Sequence, residues 1–539
     1  MSAGTELDNK TAWLPVPDEW VAAFGMVIFA FAMRYWFFYS YPSPLMLHEQ
    51  DGTAYMYIAR DLLAFKAPEN IFMPPFYPLL IAIFSVLPIK FELAARIASI
   101  TMDALVVLPL YGLSRIVLPR LASLVVCGLR ATFAFCLIFT PSPLSQSTYL
   151  CMLLTGTYLL CRGAWGEQRG WQFFLAGAAF ACAYLTRPEG LVTVAVGLAF
   201  IGLALLQQPD ARRRLGLGAA LFLLGFFVCA LPFVLLLHAR LGHWTFTAKT
   251  TVAIKGIDGA LTLGQGADQA KNGLALWLDQ VGGLGGGIKF IWGNVLGFMT
   301  ILLRSYRPWM HWLALLGLPL LLIGKQLSRR LFLLIPFLAT IPVYIANLPK
   351  VHAYIYPLFP LYFLAVVAGS WKLLSLALDR GAAGQSRLAA LKYGVLLALA
   401  VVIAFGSYHD AVAHYTSDET RYQVYLARNI FQPAGEDLQR ISQKQDIVMT
   451  RWGLITYFAD RPLVSLPKGN IDEVIAHGRN NKVKYLVIDT ESVLVRRQEL
   501  LELLNPLHGR GINPRYGLQV VAVRGQGDLG GYVIYRYLP

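Results

Sequence analysis

A chain of 539 residues that is 56% hydrophobic and 14% charged, with a mean hydropathy of +0.53, lies outside the range of soluble globular domains and reads as a polytopic α-helical membrane protein. Its net charge of +15 is uneven: residues 1–408 hold 30 Lys and Arg against 17 Asp and Glu, and residues 409–539 hold 16 against 14. That excess on the apolar part suits the positive-inside rule and contact with anionic lipids or phosphates; nothing resembles a nucleic-acid module, and the six cysteines lack disulfide or zinc spacing.

The N-terminal stretch Met1–Trp20 is polar, without the basic region and cleavage site of a signal peptide, so the first apolar span is expected to stay in the protein. At about 20 apolar residues per crossing, eleven spans are predicted near 20–40, 92–118, 122–140, 146–164, 170–186, 189–206, 215–237, 309–324, 331–346, 353–375 and 391–408. Basic loops recur at alternate ends: Arg115 and Arg120, Arg162 and Arg169, Arg212–Arg214, Lys325 with Arg329 and Arg330, and Arg380 with Arg387 and Lys392. All share one side if the N-terminus is cytoplasmic, which puts the C-terminal part outside an inner (cytoplasmic) cell membrane.

Two extracytoplasmic loops are long. In the first, 41–91, Tyr55, Ile58, Ala59, Leu62 and Leu63 fall on one helical face, the pattern of an interfacial helix. Pro74-Pro75 then opens a short apolar segment, Phe76–Pro88, expected to lie in the interface. In the second loop, 238–308, a Gly-rich stretch (Gly282–Gly287) reads as mobile and Ile288–Leu303 as a further interfacial helix. Residues 409–539 change character: 446–450, 484–489, 518–523 and 532–537 read as buried strands, with a capping-box start at Asn470 and Glu473 between them. The predicted organisation is a membrane module, 1–408, followed by an extracytoplasmic α/β domain, 409–539.

Charged residues inside or at the mouths of membrane helices are costly unless paired or functional. Asp103 and Arg130 stand at matching depths, about 15 Å in at 1.5 Å per residue, and are expected to form a structural ion pair across neighbouring spans. Arg187 and Glu189 lie between two spans in Leu185-Thr-Arg-Pro-Glu-Gly190, and Asp51 opens the amphipathic stretch after the first span.

The ordered set Asp51-Gly-Thr-Ala-Tyr55, Pro74-Pro-Phe-Tyr-Pro78, Ala95-Arg96, Leu185–Gly190, Gly242-His-Trp-Thr-Phe-Thr-Ala-Lys249 and His352-Ala-Tyr-Ile-Tyr-Pro357 resembles the GT-C membrane glycosyltransferases, particularly bacterial relatives of protein O-mannosyltransferases and of the lipid A aminoarabinose transferase. The resemblance implies inverting transfer of one sugar from a polyprenyl-phosphate carrier to a lipid, glycan or protein acceptor. Gly52, Met73 and Ser145-Gln-Ser-Thr148 depart from it: such proteins often carry a second acid, a basic residue and an acid there.

Such chemistry needs a base for the acceptor hydroxyl and cations for the departing phosphate. Asp51 is the candidate base, against the plainer role of a first-turn acid on a helix. Arg187 and Lys249 are candidate phosphate ligands, against an ion pair of Arg187 with Glu189 and a Lys249 that snorkels to head groups. Tyr55, Glu189, His352 and Tyr354 are candidate sugar or carrier contacts, with Lys350 beside them; packing or interfacial roles compete for each. His48, Glu49 and Asp51 are candidate ligands for a divalent metal, against an ordinary polar loop; the sequence marks no other cofactor. Many spans and buried charges also fit a secondary transporter or lipid flippase, but no internal repeat marks one, and an envelope scaffold explains the α/β domain but not the ordered set of charged motifs.

Overall fold

The computed structural model describes residues 16–41, 44–45, 50–68, 70–166, 169–248, 282–322, 327–347, 352–378, 385–525 and 530–538. They divide into two compact units. The first holds the residues up to Ser40, from Ile58 to Ala248 and from Gly282 to Ala413; the second holds Tyr41–Tyr57 and the chain from His414 onward.

The first unit is helical, and among the described residues seven helices are long and apolar enough to cross a membrane: Pro17–Ser40, Phe91–Ser114, Pro188–Gln207, Pro209–Leu241, Gly283–Ser305, Ile355–Leu378 and Leu388–Tyr415. The protein is a multi-pass membrane protein. The remaining expected spans are helical but shorter, interrupted or more polar. The span near 122–140 is two helices, Arg120–Thr132 and Ala134–Phe139, separated by an extended Phe133. Those near 170–186 and 309–324 are the 15-residue helices Gly170–Tyr184 and Pro308–Leu322.

Between helices in lipid the hydrophobic effect supplies little, so association depends on close backbone approach at small residues. A Cβ on Gly177 would collide with the Phe222 carbonyl, and one on Gly225 with that of Phe174, which locks α1 (Gly170–Tyr184) onto α2 (Arg212–Leu241). Gly317 and Gly369 do the same for α3 (Pro308–Leu322) and α4 (Phe359–Leu378), against Ala365 and Leu313.

Sequence and structure differ most over residues 282–305. The Gly-rich stretch expected to be mobile and the helix expected over Ile288–Leu303 are one 23-residue helix, Gly283–Ser305. Glycine costs a helix about 1 kcal/mol per residue in water, but in an apolar medium an unpaired backbone amide costs more, so the helix extends through its glycines. Asn294 on its buried face donates to the Ile345 carbonyl at 2.9 Å.

In the second unit a five-stranded sheet has the order β2-β1-β3-β5-β4, built from β1 (Val448–Thr450), β2 (Leu463–Ser465), β3 (Tyr485–Asp489), β4 (Leu518–Gly525) and β5 (Gly531–Tyr537). β1 runs parallel to both β2 and β3, while β5 is antiparallel to β3 and β4. All five residues of β3 are buried. β4, read from its valines as a buried strand, is an edge strand with most positions exposed, and β2 is a three-residue edge too short to mark itself in the sequence. Asn470 and Glu473 exchange side-chain to backbone bonds of 3.0 and 3.1 Å at the start of helix Ile471–Asn480.

Candidate functional site

Three separate sequence segments meet in the first unit. The Phe76 amide donates to the Leu185 carbonyl at 2.8 Å, joining the Pro-Pro segment to the turn before Arg187. The Tyr184 hydroxyl donates to the Phe246 carbonyl at 2.5 Å, joining that same turn to the segment after α2. Around these bonds Ile71, Tyr184, Leu185, Phe226, Phe233 and Leu237 form an apolar cluster on which Phe76 and Ala248 pack. Gly242 ends α2 in the left-handed conformation (φ 74°), and Trp244 folds back to stack on His238 with ring centroids 4.1 Å apart. Ala248 is the last described residue of this segment; Lys249 lies outside the described residues.

Arg187 is held extended at the start of a 3-10 turn, Pro188–Leu191, where proline supplies a fixed first position. Its Nη2 lies 3.2 Å from Glu189 Oε1, with both side chains close to nine-tenths buried (13% and 12% exposed). The guanidinium also lies over the Tyr344 ring, 6.0 Å from its centroid. Arg187 and Glu189 are thus a nearly buried pair beside the Tyr344 ring.

A second charged group sits deeper. Arg130 Nη1 donates to Asp103 Oδ2 at 3.0 Å and its Nη2 to Oδ1, making the two-pronged pair of a guanidinium with a carboxylate. Arg34, which was not singled out from the sequence, joins them: its Nε donates to Asp103 Oδ2, and its Nη1 to the Ala30 and Ala131 carbonyls at 2.9 and 3.0 Å. The Tyr356 hydroxyl donates to Asp103 Oδ1 and accepts from Arg130 Nη2 at 2.8 Å. Asp103, Arg34 and Arg130 are fully buried. The signal for Arg34 was present, a lone arginine within the first apolar span, the same cue that marked Asp103. Tyr356 ties this group to the 3-10 turn His352–Leu358, which also carries His352 and Tyr354, whose side chains lie outside the description.

Tyr77, from the Pro-Pro segment, donates to the Ala95 carbonyl at 3.2 Å and lies 2.7 Å from Ser99 Oγ. Arg96 pairs with Glu92 at 2.9 Å and donates to the Pro141 carbonyl at 3.1 Å. The Tyr77 bond joins Ala95-Arg96 to the Pro-Pro segment.

Asp51 is in the other unit. It stands exposed in the first turn of α-helix Gln50–Leu63, with Tyr55 buried one turn on. Within this unit the helix start rests on the α/β domain. A Cβ on Gly453 would lie 3.4 Å from Thr53 Oγ1, and the Tyr57 and Tyr457 rings meet edge to face at 6.1 Å. His48, Glu49 and Lys350 lie outside the described residues, and among the described residues no group of three His, Cys, Asp or Glu side chains is poised to hold a metal.

Residues 73–237 match the model of the dolichyl-phosphate-mannose-protein mannosyltransferase family. No curated protein sequence matches the chain. Two solved structures share the fold at low identity. One is the archaeal oligosaccharyltransferase AglB from Archaeoglobus fulgidus, in complex with an inhibitory peptide and a dolichol-phosphate, with 14% identity and a TM-score of 0.57 over 88% of this chain and 70% of that one. The other is ArnT from Cupriavidus metallidurans bound to undecaprenyl phosphate, with 15% identity and a TM-score of 0.55 over 96% of this chain and 97% of that one.

Proposed function

We propose that this chain is a GT-C membrane glycosyltransferase that transfers a single sugar from a polyprenyl-phosphate carrier to a lipid, glycan or protein acceptor on the extracytoplasmic face, with inversion. The observation that carries the reading is the convergence of the Phe76, Leu185 and Phe246 segments around Arg187. Two relatives of the same fold are described with dolichol-phosphate and undecaprenyl phosphate, the class of carrier assigned here.

In this scheme the acceptor oxygen attacks the anomeric carbon while the bond from that carbon to the carrier phosphate breaks. Asp51 accepts the acceptor's proton, and the phosphate departs as an anion. Arg187 grips that anion with two parallel bonds, Lys249 adds a compact charge, and Glu189 holds the Arg187 fork in orientation. Tyr55, His352 and Tyr354 line the sugar side. Where a divalent cation takes part, His48 and Glu49 beside Asp51 supply nitrogen and oxygen ligands that suit it.

The membrane module, 1–408, is proposed to keep eleven crossings with a cytoplasmic N-terminus and the 409–539 domain outside. If the helix Gly283–Ser305 crossed as well, the basic loops after it would change sides and the charge rule would fail, so we assign it a course within one leaflet or along it.

Carrier binding tests the phosphate assignment. Arg187→Gln is expected to weaken binding of polyprenyl phosphate to the purified protein by about ten- to hundredfold, the worth of a charged hydrogen-bonded contact. Unchanged affinity would move the phosphate site elsewhere.

A further inference from the structure

Tyr149 buries a hydroxyl that no described protein group satisfies. Its side chain is 1% exposed, and its Oη has no hydrogen-bond partner among the described residues. Burying such a hydroxyl unpaired is unfavourable, and a phenylalanine would fill the same space without that cost. The hydroxyl is therefore suited to a group that comes from outside the chain.

Helix packing sets where this hydroxyl lies. Tyr149 stands near the start of the helix Gln146–Trp165. A Cβ on Gly163 of that helix would meet the Phe173 ring, and one on Gly156 the Phe180 ring. Gly156 is about two turns before Gly163, and Phe180 about two turns after Phe173, so this helix and α1 run antiparallel in matched steps. The next step of about two turns along the same face leads from Gly156 to Tyr149, and from Phe180 past the end of α1 to Arg187. The electrostatics agree with that register: the ionisable groups that act on the Tyr149 hydroxyl are Tyr344, Glu189 and Arg187. Tyr344 is the ring beneath the Arg187 guanidinium. Three residues before Tyr149, and so its neighbour on the helix surface, Gln146 buries an Oε1 that also has no partner among the described residues.

The chemistry of these groups selects the ligand. A carrier phosphate offers only acceptors, and on this side it would meet the Glu189 carboxylate, which repels it. A sugar hydroxyl both donates and accepts, which complements a phenol, a carboxamide and a carboxylate together.

We infer that Tyr149, with Gln146 beside it, is a sugar-binding residue of the site at Arg187, bonding a ring hydroxyl of the carrier-linked sugar while the carrier phosphate lies against Arg187. The inference rests on the proposed transfer reaction and deepens it by placing the sugar on the Glu189 side of the arginine.

The test measures binding to the full-length protein in phosphatidylcholine nanodiscs. The probes are undecaprenyl phosphate and the same carrier loaded with mannose or with arabinose. Wild type is expected to bind at least one loaded carrier more tightly than the bare one. Tyr149→Phe and Gln146→Leu should each weaken that loaded carrier by about three- to tenfold and leave the bare carrier unchanged. Without ligand, Tyr149→Phe should unfold at the wild-type midpoint or above it, because an unpaired hydroxyl contributes nothing to the empty fold; a lowered midpoint would show a structural partner and overturn the inference. Equal loss for bare and loaded carriers, loss for neither, or no wild-type preference for a loaded carrier would also overturn it, while binding of the bare carrier keeps the donor reading standing. Failure of the wild type to bind any of the three probes removes the donor reading and the sugar subsite together.

Discussion

Asp103 is the carboxylate on which two fully buried arginines depend, and the structure changes what its removal should do. A simple pair with Arg130 predicts that deleting both partners restores stability. With Arg34 also donating to Asp103, Asp103→Ala leaves two buried guanidiniums, and Asp103→Ala with Arg130→Ala still leaves one. Breaking a buried pair from one side costs about 3–5 kcal/mol. The expected order of thermal stability in detergent is therefore wild type, then an Arg34→Met, Asp103→Ala, Arg130→Met triple variant, then the double and the single variants. Full recovery in the double variant would remove Arg34 from the group. Asp489, in the α/β domain, gives a prediction in pH. Burial raises its pKa from 3.8 to about 6, against the lowering bonds from Ser492 and Trp452. A carboxyl raised in the folded state binds its proton more tightly there than when unfolded, so its contribution is complete below about pH 4 and is lost as pH rises through about 6. At 1.36 kcal/mol per unit that loss is on the order of 3 kcal/mol. Hydrogen exchange of β3 amides in the full-length protein should show protection falling between pH 4 and 6, and Asp489→Asn should flatten the change; an equal slope in the variant would exclude Asp489 as its source.

At the scale of helices and strands, the tightest constraints are glycines that admit a neighbouring backbone. Gly177→Val and Gly317→Val place a branched side chain against the Phe222 and Ala365 carbonyls, and overpacking of this kind costs about 1–3 kcal/mol or more. Both should lower the unfolding midpoint, whereas Gly202→Val, with nothing near its Cβ position, should not. These contacts were not legible in the sequence, because a glycine inside an apolar run looks the same whether it faces lipid or another helix. Gly283–Ser305 shows the reverse error: its glycines read as loop, since propensities measured in water carry no information about the cost of an unpaired amide in an apolar medium. The Asn470–Glu473 start was legible because a capping box is a local device of fixed spacing. β2 was not, since three residues are too few for a period.

For the molecule as a whole, span length and loop charge marked a multi-pass protein, a change of character after residue 408 marked a sheet-containing C-terminal part, and the order of short motifs marked a resemblance to the GT-C glycosyltransferases. What they could not supply was the convergence of those motifs, which depends on single bonds such as Tyr184 to Phe246 and Phe76 to Leu185 between distant segments. The seating of Asp51's helix start on Gly453 and Tyr457 was equally hidden, because it joins residues four hundred positions apart in the chain, roughly the whole membrane module. Cysteine labelling in intact cells should find positions 51 and 496 reactive from outside and 329 and 387 protected; the opposite pattern at 387 would invert the proposed orientation. The most direct test of the account is single-turnover sugar transfer by the purified chain from a radiolabelled polyprenyl-phosphate sugar, compared with Asp51→Asn. Removing a general base is expected to lower the rate by about 10²–10⁴-fold while leaving carrier affinity unchanged. Wild-type transfer matched by Asp51→Asn would contradict it.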